Sequence, residues 1–235
     1  MTAAPEDSEA VPRPGAVFHI VRNVLRPVLW IVYGWRRQGH RNLPAQGPVL
    51  LAANHLSGWD TVLIPLAAPR PVQFLTKSAY FTKPGIKGRF MRWFFTSIGG
   101  VPVHRSVGHD AQAALHSGSA ILRSGAVFAV FPEGTRSRDG RLYKGRSGAA
   151  WMALDTGAMV VPVGVLGTHA MRPFAWWFGR SRPEIRFGEP INLDAVAHLS
   201  AGAARRQVTD QIMNAIAALT GQERVDMLNA GSRDE

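Results

Sequence analysis

Short apolar runs rich in Val, Ile and Phe recur along the chain at residues 48–53, 72–76, 101–104, 126–131, 160–166 and 184–187. Helical stretches separate them, clearest at residues 110–123, 147–156 and 207–219. This alternation constrains the fold most. A strand apolar on both faces must be covered on both sides, and intervening helices supply the cover. The expectation is a single α/β domain with a mixed, mostly buried β-sheet flanked by helices. Gly125 and Gly157 stand where helix-ending glycines belong. A chain of 235 residues can build one substantial core. It has no cysteine, which removes disulfides, thiolate zinc sites and a cysteine nucleophile.

Residues 1–17 are rich in Pro, Ala and acids, without the basic-then-apolar pattern of an export signal, and read as a tail. Residues 18–37 read as an amphipathic helix. Phe18, Val21, Leu25, Leu29 and Val32 form an apolar stripe at helical spacing, with Arg22 and Arg26 beside it. Its longest apolar run, residues 28–35, falls short of the ~20 residues that a membrane span needs. The preferred reading is a helix lying in the membrane interface; the alternative is a helix capping the core. Residues 38–225 then form the globular domain and residues 226–235 a second tail. Two further segments, 83–95 and 171–182, mix Trp and Phe with Lys and Arg, as a headgroup interface does.

The net charge of +11 is uneven. Residues 10–109 hold thirteen Lys or Arg and one acid, Asp60, whereas residues 110–235 are close to neutral. Such a positive field suits phosphate-bearing partners such as lipid headgroups, coenzyme A or nucleic acid, and an anionic membrane surface is the expected partner. Nucleic acid is not expected, because no recognition motif accompanies the charge.

Two segments that follow apolar runs carry candidate chemistry. In the first, residues 54–60, His55 is a neutral-pH base and Asp60 a carboxylate able to fix its tautomer and stabilise the imidazolium. Five residues apart, they must straddle a strand-to-helix turn. The second is Phe131, Pro132, Glu133, Gly134, Thr135, Arg136 and Ser137, whose polar groups suit a headgroup. A third segment, Gly99 to Arg105, offers Arg105 for bidentate phosphate binding. No cluster reads as a metal site.

Taken together, these segments resemble the glycerolipid acyltransferase family, which includes the 1-acylglycerol-3-phosphate acyltransferases. Asn54, His55 and Asp60 resemble its first block and Phe131 to Ser137 its most diagnostic one. Residues 99–105 and 160–163 resemble two others, and the likeness covers roughly residues 40–190. It implies His55 as general base and Asp60 as its orienting partner. It also implies that Glu133, Gly134, Thr135 and Arg136 help to place a phosphorylated acceptor, with Arg105 on the phosphate. Lys77 and Lys144 join them on charge grounds. The implied reaction moves a fatty acyl chain from acyl-CoA or acyl-carrier protein to the sn-2 hydroxyl of a lysophospholipid, 1-acylglycerol-3-phosphate. It needs no cofactor beyond that co-substrate, and the expected location is peripheral, on the cytoplasmic face of the plasma membrane. Glycerol-3-phosphate, another lysophospholipid or a glycolipid are alternative acceptors. A non-catalytic peripheral membrane protein is the alternative from another class.

Overall fold

The computed structural model describes residues 16–103, 110–179 and 182–230. In chain order its main elements are α1 (Ala16–Tyr33), β1 (Arg36–Gln38), β2 (Val49–Ala53), α2 (Asp60–Ala67), β3 (Val72–Lys77), α3 (Ala79–Thr82), α4 (Gly85–Ser97) and β4 (Gly100–Val103). There follow α5 (Asp110–Arg123), β5 (Val127–Val130), β6 (Leu142–Tyr143), α6 (Gly148–Thr156), β7 (Met159–Leu166), β8 (Glu184–Phe187), α7 (Ala201–Thr220) and β9 (Arg224–Val225).

The expected apolar runs become strands of one sheet, in the order β1-β8-β7-β2-β5-β3-β4. Its pairs are parallel except β7 with β8, so the sheet is mixed. β2 lies at its centre and shows why both faces must be covered. Val49, Leu51 and Ala53 enter one core, beneath α1 and α2. Leu50 and Ala52 enter the other, beneath α5, α6 and α7. This is the two-residue period of a strand expressed as two cores. Truncating Leu51 to Ala there would cost about 2–5 kcal/mol.

The structure corrects the reading of residues 18–37 in two respects. The helix ends at Tyr33, because Gly34 turns the chain with φ 62° and Trp176 packs against it where a side chain would stand. Arg36 and Arg37 then form the edge strand β1 rather than a last helical turn. The stripe taken for a membrane face points inward: Phe18 and Val21 are buried, and Leu25 and Leu29 pack against the same core. α1 is therefore part of the domain. A different apolar face, Ile20, Val24, Val28 and Ile31, is the exposed one.

The C-terminal boundary also moves. Residues 226–230 are held to the domain, since Asp226 pairs with Lys144 at 2.9 Å and the Asn229 amide donates to the Arg136 carbonyl. This strap, with the parallel pair β6–β9, fastens the loop that follows β5.

Candidate active site

The sheet presents the carboxyl ends of β2, β3, β5 and β7 along one edge, where α/β proteins gather ligand-binding groups. Asn54 and His55 leave β2 there, and Asp60 opens α2 after a short turn. The five-residue spacing thus straddles a strand-to-helix turn. His55 Nδ1 lies 2.8 Å from Asp60 Oδ2.

Asp60 is fully buried, and its carboxylate is surrounded by donors. Oδ2 takes the Leu56 and Ser57 backbone N–H groups at 2.7 and 2.9 Å, while Oδ1 takes the Thr168 hydroxyl at 2.6 Å. Such a carboxylate acts as acceptor, so the Nδ1 proton is directed to it and Nε2 keeps a free lone pair. The His55 ring stacks on Phe131, with centroids 3.9 Å apart and planes 11° from parallel. Its side chain keeps 16% of its surface open, enough for a reacting group to reach it.

A second set of bonds holds the backbone beneath this pair. Asn54 is fully buried; its amide donates to the Val165 carbonyl and to Gln222 Oε1, and its oxygen accepts the Val165 N–H. The Ser137 N–H donates to the His55 carbonyl at 2.8 Å, tying the loop after β5 to the turn after β2. Arranged in this way, an oriented imidazole at the mouth of the sheet can take a proton from a hydroxyl.

The acyltransferase family model matches residues 35–166, more than half of the chain. This chain belongs to the acyltransferase family. It is 33% identical over 137 residues to the chloroplastic 1-acyl-sn-glycerol-3-phosphate acyltransferase LPAT1 of Arabidopsis thaliana. That alignment covers 58% of this chain and 37% of the plant protein, so the chain spans well under half of that relative's length. The 1-acyl-sn-glycerol-3-phosphate acyltransferase of Bacillus subtilis is 23% identical over 90% of this chain and 100% of its own length. Among solved structures, the 1-acyl-sn-glycerophosphate acyltransferase PlsC of Thermotoga maritima superimposes with a TM-score of 0.62 at 26% identity. It covers 86% of this chain and 78% of its own.

Within the acyltransferase, Glu133 sits below the reacting surface. It is fully buried, and its two oxygens accept the backbone N–H groups of His55, at 3.2 Å, and of Tyr143, at 3.0 Å. It is a clasp between the turn after β2 and β6. Burial pushes its carboxyl up to about 7 from an ordinary 4.5, against the two backbone bonds that favour the charged form. Gly134 follows with φ 79°, and a Cβ there would lie 2.8 Å from Arg146 Nε. Glycine is thus required both by the backbone and by the packing of Arg146. Thr135 is half-buried and Arg136 exposed on the same loop. Lys144 is also on the surface, paired with Asp226. Lys77 ends β3 at the same carboxyl edge, in register with Val103. Arg105 lies outside the described residues.

Sequence reasoning did not single out Thr168, Asn54's partner Gln222 or the ring of Phe131. Thr168 and Gln222 stand 108 and 168 residues from the groups they touch, and nothing local announces such contacts. Two predictions follow from this geometry. Thr168→Val keeps the shape but leaves a buried carboxylate oxygen without its donor, a cost of about 1–3 kcal/mol, so kcat should fall roughly 10-fold. Thr168→Ser, which keeps the hydroxyl, should restore kcat. An unchanged kcat in Thr168→Val would confine Thr168 to packing.

The second concerns Glu133. The unfolded chain releases this proton near its ordinary value, whereas the folded chain holds it to about 7. The group therefore contributes stability below the lower value that is lost as pH rises through the window, by roughly 3 kcal/mol. Melting temperatures across that window should fall more for the native protein than for Glu133→Gln, which does not titrate. Parallel curves would show that Glu133 titrates normally.

Proposed function

We propose that this acyltransferase moves a fatty acyl chain from a thioester, acyl-CoA or acyl-carrier protein, to the sn-2 hydroxyl of 1-acylglycerol-3-phosphate. The product is phosphatidic acid. The observation that carries the reading is the His55–Asp60 pair at the carboxyl edge of a sheet whose family transfers acyl groups. Relatives named for this reaction support the acceptor.

In this reading His55 Nε2 removes the hydroxyl proton as the oxygen attacks the thioester carbonyl, and Asp60 stabilises the imidazolium that forms. Collapse of the tetrahedral intermediate expels the thiolate, which takes the proton back from His55. Glu133 contributes by clasping the His55 backbone rather than by touching the acceptor. Thr135, Arg136 and Arg105 are the groups proposed to hold the acceptor, with Lys77 and Lys144 as further positive charge at this edge.

The lipid acceptor calls for a membrane surface. Among the described residues no helix is long and apolar enough to cross a membrane. Apolar surface is nonetheless exposed on α1 at Val28 and Ile31, on α4 at Phe90 and Trp93, and on the turn at Trp177 and Phe178. The turn is bonded to α1, through the Phe174 N–H on the Val32 carbonyl and the Trp176 indole on the Ile31 carbonyl. Basic residues stand among these aromatics, so we place the protein peripherally on an anionic membrane surface, the cytoplasmic leaflet.

The test is thiol release measured across a panel of acceptors. The reading expects kcat/KM to be highest for 1-acylglycerol-3-phosphate, ahead of glycerol-3-phosphate and of lysophospholipids with substituted headgroups. A preference for either of the latter would reassign the acceptor. No thiol release with any acceptor would overturn the transferase reading.

A further inference from the structure

A groove of about 550 Å3, whose walls do not include His55, opens between α1 and β1 and is walled by Arg26, Pro27, Trp30, Trp35, Arg36 and Arg37. Its charge is answered by no ion pair among the described residues; Glu184, the register partner of Arg36 on β8, is engaged by Arg186. Among the described residues none of Arg22, Arg26, Arg36 and Arg37 forms an ion pair, and Asp60, the one acid of residues 10–109, is fully engaged elsewhere. Arg22 and Arg37 donate only to the backbone carbonyls of Pro69 and Ala67, beyond the end of α2 and at its last turn, and Arg22 Nε is buried with no partner. Burial holds Arg22, Arg26 and Arg37 below the ordinary guanidinium value. Mutual repulsion with their arginine neighbours lowers Arg22 and Arg37 further, and His40 is lowered by burial first and then by the charges of Arg37, Arg41 and Arg26. An anion in the groove would relieve that repulsion.

The groove also has an apolar side. Arg22, Arg26 and Trp30 follow one another at four-residue spacing along one flank of α1. Val24, Val28 and Ile31 occupy the adjoining outer face and are exposed, as is Trp30 at the border. A guanidinium cluster bounded by tryptophan and opening beside exposed aliphatic side chains combines the two halves of a lipid: phosphate at the arginines, chains beside the helix.

We propose that this groove is a phospholipid-headgroup site, taking the phosphate of an anionic glycerophospholipid and fixing how α1 sits on the bilayer. The inference rests on the membrane-surface reading above and names the chemistry and the place of one contact within it. A soluble phosphate offers the same charge but makes no use of the apolar flank.

The test is co-sedimentation with vesicles of phosphatidylcholine alone and of phosphatidylcholine containing phosphatidylglycerol. Arg26→Lys combined with Arg36→Lys keeps every charge and removes two planar forks; among the described residues neither side chain makes a hydrogen bond or an ion pair. The site predicts about 10-fold weaker partition onto the phosphatidylglycerol vesicles and no change on phosphatidylcholine. Equal partition of native and variant proteins on both would mean diffuse attraction and overturn the site, leaving the membrane reading intact. Val28→Ser with Ile31→Ser should weaken binding to both vesicle types alike. If the native protein bound neither, the membrane reading and the site would fall together. Inorganic phosphate should displace the protein from phosphatidylglycerol vesicles no better than sodium chloride of equal ionic strength. Markedly better displacement would assign the groove to a soluble phosphate instead.

Discussion

His55→Ala lowers kcat by at least ~10²-fold, the lower end of what a positioned general base contributes, while the protein stays folded. The fold should survive because what anchors this turn is backbone. The His55 N–H is held by Glu133 and its carbonyl by the Ser137 N–H, and neither bond involves the imidazole. The lost contacts are the stacked ring of Phe131 and the hydrogen bond to Asp60, whose Oδ2 keeps the Leu56 and Ser57 N–H groups. Circular dichroism and melting temperature should therefore change little as thiol release collapses. Retention of near-native turnover would remove His55 from the mechanism.

Asp60→Asn should lower kcat by roughly 10²- to 10⁴-fold, through loss of charge rather than loss of shape. The amide has one orientation that suits the site. Its oxygen can face the Leu56 and Ser57 N–H groups and His55 Nδ1, with its NH2 toward the Thr168 hydroxyl, which can accept. The turn is kept and the imidazolium loses its counter-charge. Asp60→Ala is the contrasting variant. It leaves two half-buried backbone donors without an acceptor, at up to about 1–3 kcal/mol each, and should destabilise the protein measurably. If Asp60→Asn lost activity only in proportion to lost folded protein, the carboxylate would be structural.

The parts of this architecture legible in the sequence were those with a local signature. Strands buried on both faces read as uninterrupted apolar runs, and all of those expected appear within a residue or two of their observed ends. The turn before Asp60 implies a helix there, but the extent of α2 is not legible, because seven of its eight residues are buried and show no amphipathic period, and Pro65 lies inside it. β1, three residues of Arg-Arg-Gln at the sheet edge, carries no apolar signal at all. α7 begins six residues before its apolar period does, in an Ala-rich turn that favours helix by propensity alone.

The helix at the N-terminus shows a different limit. Its inner stripe is the more regular one and was assigned to the membrane, yet an amphipathic pattern states only that one face leaves water. Both the core and a bilayer satisfy that demand. Only the packing of Phe18 and Val21 decides between them. In the site, the bond between His55 and Asp60 follows from spacing and chemistry, whereas the inward role of Glu133 does not. A glutamate in a glycine-rich turn reads as a surface group until β6 is seen to close over it.

The central claim is a direct, His55-dependent transfer from thioester to lysophosphatidic acid on one protein. It is tested by incubating native protein and His55→Ala with isotopically labelled acyl-CoA and 1-acylglycerol-3-phosphate. Labelled phosphatidic acid is followed by mass spectrometry beside the thiol released. The account predicts one labelled phosphatidic acid per thiol for the native protein and at least ~10²-fold less of both for His55→Ala. Thiol release from the native protein without labelled phosphatidic acid, or equal product from the two proteins, would contradict it.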